Sequence, residues 1–424
     1  MSDIINLPKA DIDILRRLAE RKVKLANDPV NEERREAWYL HDAGSSGRPM
    51  VLAEYGGVQD KIRPFTDAGC QCTDPWARSI EVWQFMAEAY QFESLKDDHV
   101  IEPYLTTGWH VGGTDYGVQA VQHHGDNDGR MGSRRWDPPI VDFDRDFQKL
   151  RPRTWSVNRE SSLANYERLK AIFGDILTVR FRSSYWWTMG MTWAAIDLIG
   201  LESLMLWMYD NPAALHRVMA FLRDDHLAHA SWMEKEGLLT INNENDYMGS
   251  GSMGYTRDLP KTGRAKSDPV RLEDLWVLLE SQETVGVGPD LFEEFIFPYQ
   301  LSIAEKSGKV YYGCCEPVHN RWHVLKRLPH LARVSISPWA DEEFMAKALG
   351  TDIIYSRKPN PTLISTDKFD EVAIRADIRK TLTTAKGCRI ELIMKDVHTL
   401  NEQPGRLARW VELARETISE VYGN

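Results

Sequence analysis

Two adjacent cysteines followed by a glutamate are the residues of this sequence best suited to chemistry. Cys314, Cys315 and Glu316 come directly after KVYYG, a short apolar segment typical of a β-strand. Successive side chains of an extended chain point to opposite faces, so only one of the two thiols can face a common site. A thiolate is a nucleophile and a metal ligand. The structural alternative is two small buried residues that pack at a strand end.

A second candidate group lies in the segment ELIMKDVHT near the C-terminus. His398 could bind a metal, and Asp396 could be a further ligand or could orient the imidazole. A histidine in a surface loop is the alternative. Because zinc accepts mixed sulfur, nitrogen and oxygen ligands, we predict a zinc site built on Cys315 and His398. Cys314, Glu316 and Asp396 are possible further ligands.

Three glutamates are candidates for general acid–base catalysis. Glu280 and Glu283 lie in LLESQETVGVGP, between two apolar stretches, and Glu244 follows another predicted strand. Paired carboxylates can exchange protons with a substrate when burial shifts their pKa values. They could equally be ordinary loop charges.

The sequence contains 15 tryptophans among 424 residues, and several of them lie near predicted strand ends. Most should pack in the core, but a few could form the flat apolar wall of a pocket. The predicted substrate-binding residues combine such aromatic rings with polar side chains near strand ends. They are His110, Trp186, Trp187, Trp339, Gln282 and Asp246.

Short apolar segments alternate with helical segments along most of the chain, which predicts an α/β fold with a parallel sheet. We count eight strands, at 50–54, 100–107, 176–182, 238–242, 310–313, 333–337, 352–355 and 389–394. Eight strands favour a closed (β/α)8 TIM barrel, whose site lies at the carboxyl ends of the strands. Residues 1–44 form a predicted N-terminal helical extension and 45–424 the barrel. Long loop excursions at 111–158 and 245–273 should lie on the face of Cys315 and His398.

Composition narrows the class of protein. The formal net charge of −11 disfavours a nucleic-acid partner, which requires a basic surface. No stretch of 18 apolar residues and no signal-peptide pattern is present, so we expect no membrane span. Five cysteines, an odd number in a long chain, suit a reducing compartment, and we predict a cytoplasmic protein.

Three segments resemble the uroporphyrinogen decarboxylase superfamily. ESQETVGVGPDLFEEFIFPYQLSIAEK, with Pro298 and Tyr299, resembles its loop and helix around a Pro-Tyr pair. LMLWMYDNPAALHRVMAFL, residues 204–222, is similar to its helix–Asn-Pro–helix segment. ELIMKDVHTLNEQPGRLARWVELARE resembles its last strand, site loop and final helix. The resemblance covers roughly 175–421 and implies a TIM-barrel enzyme.

The resemblance favours the methyltransferase branch. The first strand leads into AEYGGVQDKIRPF, without the Arg-Gln-Ala-Gly-Arg signature that serves the decarboxylase's carboxylated substrate. Methylcobalamin:coenzyme M methyltransferase and cobalamin-independent methionine synthase bind zinc through a His-x-Cys and a later Cys. Cys315 falls on the first cysteine, Gly313 on the histidine and Ser337 on the glutamate ligand of the synthase. The last ligand falls near His398.

The resemblance therefore implies a zinc-assisted methyltransferase that acts on a small methylated substrate or on an external corrinoid held by a separate carrier protein. A metal-free decarboxylase of a uroporphyrinogen-like or aromatic acid is the alternative enzyme. A binding protein on a barrel scaffold is the third possibility. The polar residues at the strand ends argue against it.

Overall fold

Short parallel strands and many helices make up this α/β chain. A computed structural model describes residues 7–45, 48–62, 65–125, 134–183, 185–261, 263–265 and 267–423. The strands within this part of the chain are β1 (Met50–Ala53), β2 (Tyr104–Thr107), β3 (His110–Gly113), β4 (Val121–His124), β5 (Arg134–Asp137), β6 (Trp155–Asn158), β7 (Thr178–Phe181), β8 (Trp276–Leu279), β9 (Lys309–Tyr312), β10 (Leu331–Ile336), β11 (Ile354–Arg357) and β12 (Ile390–Met394).

The α-helices of the first half cover the N-terminus and flank the strands up to β8. They are α1 (Lys9–Ala26), α2 (Pro29–Asp42), α3 (Pro75–Ile80), α4 (Ala87–Tyr90), α5 (Phe143–Asp146), α6 (Arg159–Phe173), α7 (Thr192–Ile199), α8 (Leu201–Asp210) and α9 (Pro212–Lys235). Two π-helical turns, Glu81–Met86 and Gln91–Leu95, continue α3 and α4 into one helical stretch.

The α-helices of the second half alternate with β8 to β12. They are α10 (Pro289–Phe295), α11 (Phe297–Ala304), α12 (Trp322–Leu325), α13 (Glu342–Leu349), α14 (Thr362–Ser365), α15 (Glu371–Thr384) and α16 (Arg406–Tyr422). Short 3₁₀ turns occur at Gln59–Lys61, Phe147–Lys149, Leu272–Asp274, Gln282–Thr284 and Val318–Arg321. No helix in the described ranges combines the length and apolar character that crossing a membrane would require.

The central feature is a parallel sheet of six strands in the order β1-β12-β11-β10-β9-β8. Every residue of β1, β8, β11 and β12 is buried, as expected for parallel strands covered by helices on both faces. Parallel pairing aligns the carboxyl ends of the strands, for example Tyr312 of β9 with Leu279 of β8. Loops that leave these strands therefore meet at one edge.

A second parallel pair, β2 with β7, stands apart from the six-stranded ladder. Side chains span the gap on the β1 side, where Asp98 accepts from the Val51 backbone N–H at 2.7 Å and Asp97 accepts from that of Ala53 at 2.9 Å. On the other side, the Met189 N–H donates to the Leu278 carbonyl at 2.9 Å. The parallel strands described thus fall into two sheets, and a few hydrogen bonds from residues before β2 and after β7 connect them.

The strand predicted at 238–242 is wrong, because side chains occupy its hydrogen-bonding groups. The Ser183 hydroxyl donates to the Leu238 carbonyl at 2.6 Å and accepts from the Thr240 N–H at 2.7 Å. The Asn242 side-chain amide makes two hydrogen bonds to the Trp276 backbone: it accepts from the N–H at 2.8 Å and donates to the carbonyl at 3.0 Å. The segment therefore borders β8 without forming a ladder.

The sequence analysis missed β8. Its four residues, WVLL, join directly to the polar ESQ segment, and the count of eight strands had already been filled by 238–242. The strands predicted within the later half agree with β9 to β12 within a few residues. The missed strand matters because Glu280 directly follows it and so lies at the carboxyl edge of the sheet.

The excursion between β2 and α6 has structure of its own. β3 pairs antiparallel with β6, and β4 pairs antiparallel with β5. All four residues of β3 are exposed, so these strands lie outside the buried sheet. The backbone groups of these four strands are therefore paired within the excursion itself.

Candidate functional site

The two adjacent thiols lie at the carboxyl end of β9. Gly313, with φ of 96°, turns the chain out of the strand, a conformation that favours glycine. Cys314 is buried, whereas Cys315 is exposed, and their sulfurs are 3.6 Å apart as free thiols. Cys315 Sγ also lies 3.7 Å from Asp396 Oδ2. The sulfurs therefore face one another and the end of β12.

Lys395 completes this group, which we call the thiol cluster: Cys314, Cys315, Lys395 and Asp396. Its ammonium Nζ lies 3.8 Å from Cys314 Sγ and 3.5 Å from Asp396 Oδ2. Asp396 adopts the left-handed conformation, with φ of 57°, directly after β12. That turn allows adjacent residues to contact the same cluster, which strict strand alternation would prevent.

The two thiols have different acidities. The hydrogen bond from Cys315 lowers the pKa of Cys314 against the effect of burial, and the nearby Lys395 ammonium lowers it further. The same hydrogen bond raises the pKa of Cys315. Although burial opposes it, Cys314, Asp396 and Glu54 raise the pKa of Lys395. Cys314 is therefore the thiol of the pair that ionises more readily, and it does so beside an ammonium whose pKa is raised.

Glu316 points away from the cluster and holds the backbone around it. Its carboxylate accepts from the Ser281 N–H and from the Cys314 N–H, each at 2.9 Å. Both carboxylate oxygens are thus engaged with backbone donors at the ends of β8 and β9. This arrangement positions Cys314 and does not present Glu316 as a metal ligand.

Glu280, at the end of β8, is a buried carboxyl with few compensating contacts. It accepts from the Thr188 hydroxyl at 3.2 Å and the Gln282 N–H at 3.0 Å. Burial, together with the nearby Glu316 and Glu283 carboxylates, raises the pKa of Glu280 well above its usual value. The raised pKa favours the protonated carboxyl, which makes Glu280 a candidate proton donor.

Glu283 lies beside this acid. Its Oε2 accepts from the Thr192 hydroxyl at 2.7 Å, while its buried Oε1 has no hydrogen-bond partner among the described residues. Unsatisfied buried oxygens are uncommon in folded proteins. Glu280 and Glu283 thus come together as the sequence predicted, whereas Glu244 instead pairs with Arg180 at 3.2 Å.

The predicted zinc ligands come together only in part. Cys314, Cys315 and Asp396 meet, but no hydrogen bond or ion pair joins His398 to them in the described ranges. His398 is exposed and lies beside Gly57, where a Cβ would be 3.0 Å from Nδ1. Across the part of the chain that the structure describes, no three His, Cys, Asp or Glu side chains converge as metal ligands would. The Lys395 ammonium supplies the positive charge of the cluster instead.

A cavity of about 510 Å³ opens beside the exposed thiol. Cys315, Gln282, Glu283 and Trp339 line it, and Trp339 is 66% exposed at its rim. Val285 and Pro317 supply further apolar surface. A small molecule bound there would touch the Cys315 sulfur and the Glu283 carboxylate.

Two other predicted tryptophans line a neighbouring cavity of about 380 Å³. Trp186 donates through its ring N–H to His229 Nδ1 at 3.3 Å, and Trp187 is exposed. Asp246 also lines this cavity and is paired with Arg182, and burial raises the pKa of Asp246. Trp186 and Trp187 thus line one cavity and Trp339 another, and their role in substrate binding stays a prediction.

His110 is the predicted binding residue that the structure places elsewhere. It lies on exposed β3, where its Nδ1 is 2.8 Å from the Ser161 hydroxyl. It lines none of the three cavities described in this article. The strand end predicted at residue 107 is followed by an antiparallel hairpin, which carries His110 away from the carboxyl edge.

The sequence analysis missed Lys395, Glu54 and Tyr247. Glu54 follows β1, and the Tyr247 hydroxyl donates to its Oε1 at 3.0 Å, so this part of the 245–273 excursion lies at the carboxyl edge, as predicted. A Cβ at Gly251 would be 2.3 Å from the same oxygen. Burial raises the pKa of Glu54. Their position in the sequence could have indicated Glu54 and Lys395, because each comes directly after an apolar run that predicts a strand.

Comparisons with known proteins give limited information. No family model matches the chain, and no curated protein matches it. Among solved structures, a methyltransferase from Methanosarcina mazei is similar, with a TM-score of 0.48 and 12% sequence identity. The match covers 90% of this chain and 98% of that one.

Proposed function

We propose that this chain is an enzyme that transfers a methyl group from a small methylated compound, with Cys315 as the methyl acceptor and Cys314 as its base. The observation that carries the proposal is the thiol cluster beside an open cavity: two sulfurs 3.6 Å apart, with an ammonium 3.8 Å from the inner one. A nucleophile hydrogen-bonded to a base that a third group stabilises is the general arrangement of covalent catalysis.

In the proposed step, the Cys315 sulfur attacks the methyl carbon of a compound bound in the 510 Å³ cavity. The bond between the methyl group and its donor breaks, and the electron pair stays on the donor. Cys315 passes its proton to the Cys314 thiolate, which is 3.6 Å away. The products are a methylated Cys315, a neutral Cys314 and the released donor group.

Two further features of the resemblance remain proposals. An external corrinoid on a separate carrier protein would be the partner that delivers or removes the methyl group. Zinc is proposed from the resemblance, with Cys315 and His398 as its predicted ligands, and when bound it would activate a thiol at neutral pH. The described residues do not gather three metal-capable side chains, so binding would require His398 to move towards Cys315. Metal analysis of purified wild type and C315S would test zinc independently of activity. Loss of the Cys315 ligand should lower the zinc content of the variant.

We also propose that β1, β2, β7, β8, β9, β10, β11 and β12 form the eight strands of a (β/α)8-related barrel. The hydrogen bonds from Val51 and Ala53 to Asp98 and Asp97, and from Met189 to Leu278, support closure at the two gaps. The candidate site would then lie at the carboxyl end, where barrel enzymes place their chemistry.

The test uses methylcobalamin as the methyl donor and intact-protein mass spectrometry as the readout. We expect wild type to gain one methyl group in place of a proton, with peptide mapping to Cys315. C315S should gain none there, and C388S, which removes a half-buried thiol outside the cluster, should behave as wild type. Equal methylation of wild type and C315S would contradict the proposal.

The metal-free decarboxylase is a second candidate, favoured by the buried Glu280 carboxyl, whose pKa is raised by burial and by the neighbouring carboxylates. Loss of carbon dioxide leaves a carbanion that must take a proton, and a buried neutral acid can supply it. E280Q and C315S separate the two functions. A decarboxylase loses turnover of an aromatic acid in E280Q and keeps it in C315S, whereas the methyl transferase loses methyl uptake in C315S.

A further inference from the structure

A cavity of about 750 Å³ lies apart from the thiol cluster, between the excursion that carries β3 to β6 and helices α7 and α9. None of its lining residues belongs to that cluster. Its size falls within the range of small-molecule sites. The lining residues used below are Tyr116, Arg153, Trp187, Thr188, Trp193 and His226.

Aromatic side chains form part of the cavity wall, and contacts with α9 hold one of them, Tyr116, in place. The Tyr116 ring packs edge-to-face on Phe221 with centroids 5.5 Å apart, and its hydroxyl donates to Asp225 at 3.2 Å. Trp187 and Trp193 add two indole faces. Flat apolar surfaces fixed in this way favour a flat aromatic ligand, because little side-chain freedom is lost on binding.

The cation at the cavity wall already has its counter-charge. Arg153 Nε donates to Asp225 Oδ2 at 2.8 Å, and Asp225 is buried. The guanidinium also lies 5.0 Å from the centroid of the Tyr116 ring. Asp197 also lines the cavity and has an interaction of its own, so neither charge is left free to pair with an ionic ligand. A ligand without net charge needs no such partner and avoids the cost of burying an unpaired charge.

His226 supplies an unused hydrogen-bonding atom. Its Nδ1 is buried and has no partner among the described residues, although His226 lines the cavity. Burial and the nearby Arg153 lower the pKa of His226 to about 4, so the imidazole is neutral at physiological pH. Buried polar atoms nearly always have a partner, and a bound molecule would provide one once the imidazole turns to bring Nδ1 to the cavity surface.

Thr188 connects this cavity with the acid at the end of β8. Its hydroxyl lines the cavity, donates to Glu280 Oε1 at 3.2 Å and accepts from the Gly190 N–H at 2.8 Å. A ligand that reaches Thr188 is therefore one hydroxyl away from the Glu280 carboxyl. The cavity and the acidic residues thus belong to one connected region.

We infer that the 750 Å³ cavity is a binding site for an uncharged aromatic compound, held between Tyr116, Trp187 and Trp193 and hydrogen-bonded to His226. The inference is independent of the methyl-transfer proposal, because no residue of the thiol cluster takes part. A compound with one ring and one hydroxyl or ring N–H is the smallest ligand that fits this description.

Isothermal titration calorimetry of the full chain with phenol tests the inference. We expect saturable binding at one site, weakened about three- to tenfold in H226L by loss of one hydrogen bond. W187L should weaken binding as well, through loss of ring contact. H226N, which keeps a hydrogen-bonding side chain, should recover part of the affinity and shows that H226L has not simply misfolded.

Matched controls separate this site from the rest of the molecule. H323L removes an exposed histidine outside the cavity and W83L an exposed tryptophan, and both should bind phenol as wild type does. C315S should also bind phenol normally, whatever its methyl uptake. The inference is overturned by absent phenol binding, by equal affinity in wild type, H226L and W187L, or by tighter binding of benzoate or benzyltrimethylammonium.

Discussion

Charged side chains occur at two levels of the six-stranded sheet, and the two levels differ in how their charges are held. In the interior, Arg333 of β10 and Glu391 of β12 lie 3.1 Å apart and are 1% and 0% exposed. At the carboxyl edge, Asp396 is 48% exposed, and the contacts that involve sulfur are 3.6 to 3.8 Å long. Complete burial characterises the interior pair, whereas exposure beside a cavity leaves the groups of the edge accessible to a reactant.

The interior pair belongs to a continuous polar chain. Glu391 Oε2 accepts from the Ser356 hydroxyl at 2.8 Å, and Lys358 Nζ donates to Ser356 Oγ at 2.7 Å and to the Tyr311 hydroxyl at 2.8 Å. Burial lowers the pKa of Lys358 to about 7. Arg333 lowers the pKa of Glu391 although burial opposes it. This chain rises from the interior towards the edge, but no cavity described here reaches Lys358.

The largest expected effect comes from breaking the interior pair. E391Q leaves the Arg333 guanidinium buried without its counter-charge, so the free energy of unfolding should fall by about 3–5 kcal/mol. Urea unfolding followed by circular dichroism measures this change. E416Q, which breaks an exposed pair with Arg375, is the control and should leave the unfolding curve unchanged. If E391Q were as stable as wild type, the interior charges would contribute no more to stability than the exposed ones, and the two levels would not differ in this respect.

Acid should destabilise the protein through buried neutral histidines. His41 lies beside Glu391, and His226 lines the 750 Å³ cavity. Burial lowers the pKa values of His41 and His226 from 6.5 to about 4. Between these values the unfolded chain binds protons that the folded chain does not, so stability falls as the pH falls from about 6.5 to about 4. Each histidine should cost about 1–2 kcal/mol near pH ~5.

The measurement is the free energy of unfolding by urea across that pH range, for wild type and H226L. The variant should lose less stability on acidification than wild type, because one of the two histidines is gone. Parallel curves for the two proteins would show that His226 is not neutral in the folded state.

At the carboxyl edge, K395M should alter reactivity more than stability. Without the ammonium, the Cys314 thiolate loses its nearest cation, so alkylation of the thiol pair by iodoacetamide at neutral pH should slow about tenfold. Mass spectrometry of the labelled peptide gives the rate. K347M, at a surface pair with Glu343, serves as the control. An unchanged rate in K395M would mean that Lys395 does not stabilise the thiolate.

The smallest effect concerns the rim of the 510 Å³ cavity. Trp339 is 66% exposed, so W339L should change the free energy of unfolding by no more than about 0.5 kcal/mol. The same variant removes a wall from the cavity and should lower the apparent affinity for the methyl donor. Methyl uptake measured over a range of methylcobalamin concentrations separates affinity from rate. A large loss of stability would place Trp339 in the core and not at the rim.

The sequence predicted the later strands and the adjacent thiols because short apolar runs followed by polar residues are visible in a linear pattern. It could not show that 238–242 is excluded from the ladder, since the cause is tertiary: the distant Ser183 side chain binds its backbone, and its own Asn242 side chain binds the Trp276 backbone. It missed Lys395 because strand alternation places Lys395 and Asp396 on opposite faces. The left-handed turn at Asp396 reverses that expectation and depends on tertiary context.

The hairpins of the excursion after β2 have a consequence for how such a protein can change over evolutionary time. β3 to β6 satisfy their own backbone hydrogen bonds, and the segment between them supplies Tyr116 to the 750 Å³ cavity. Insertions or deletions within these hairpins would leave the register of the six parallel strands untouched. Under the two proposals made here, ligand preference can diversify by remodelling one insertion while the thiol cluster stays unaltered.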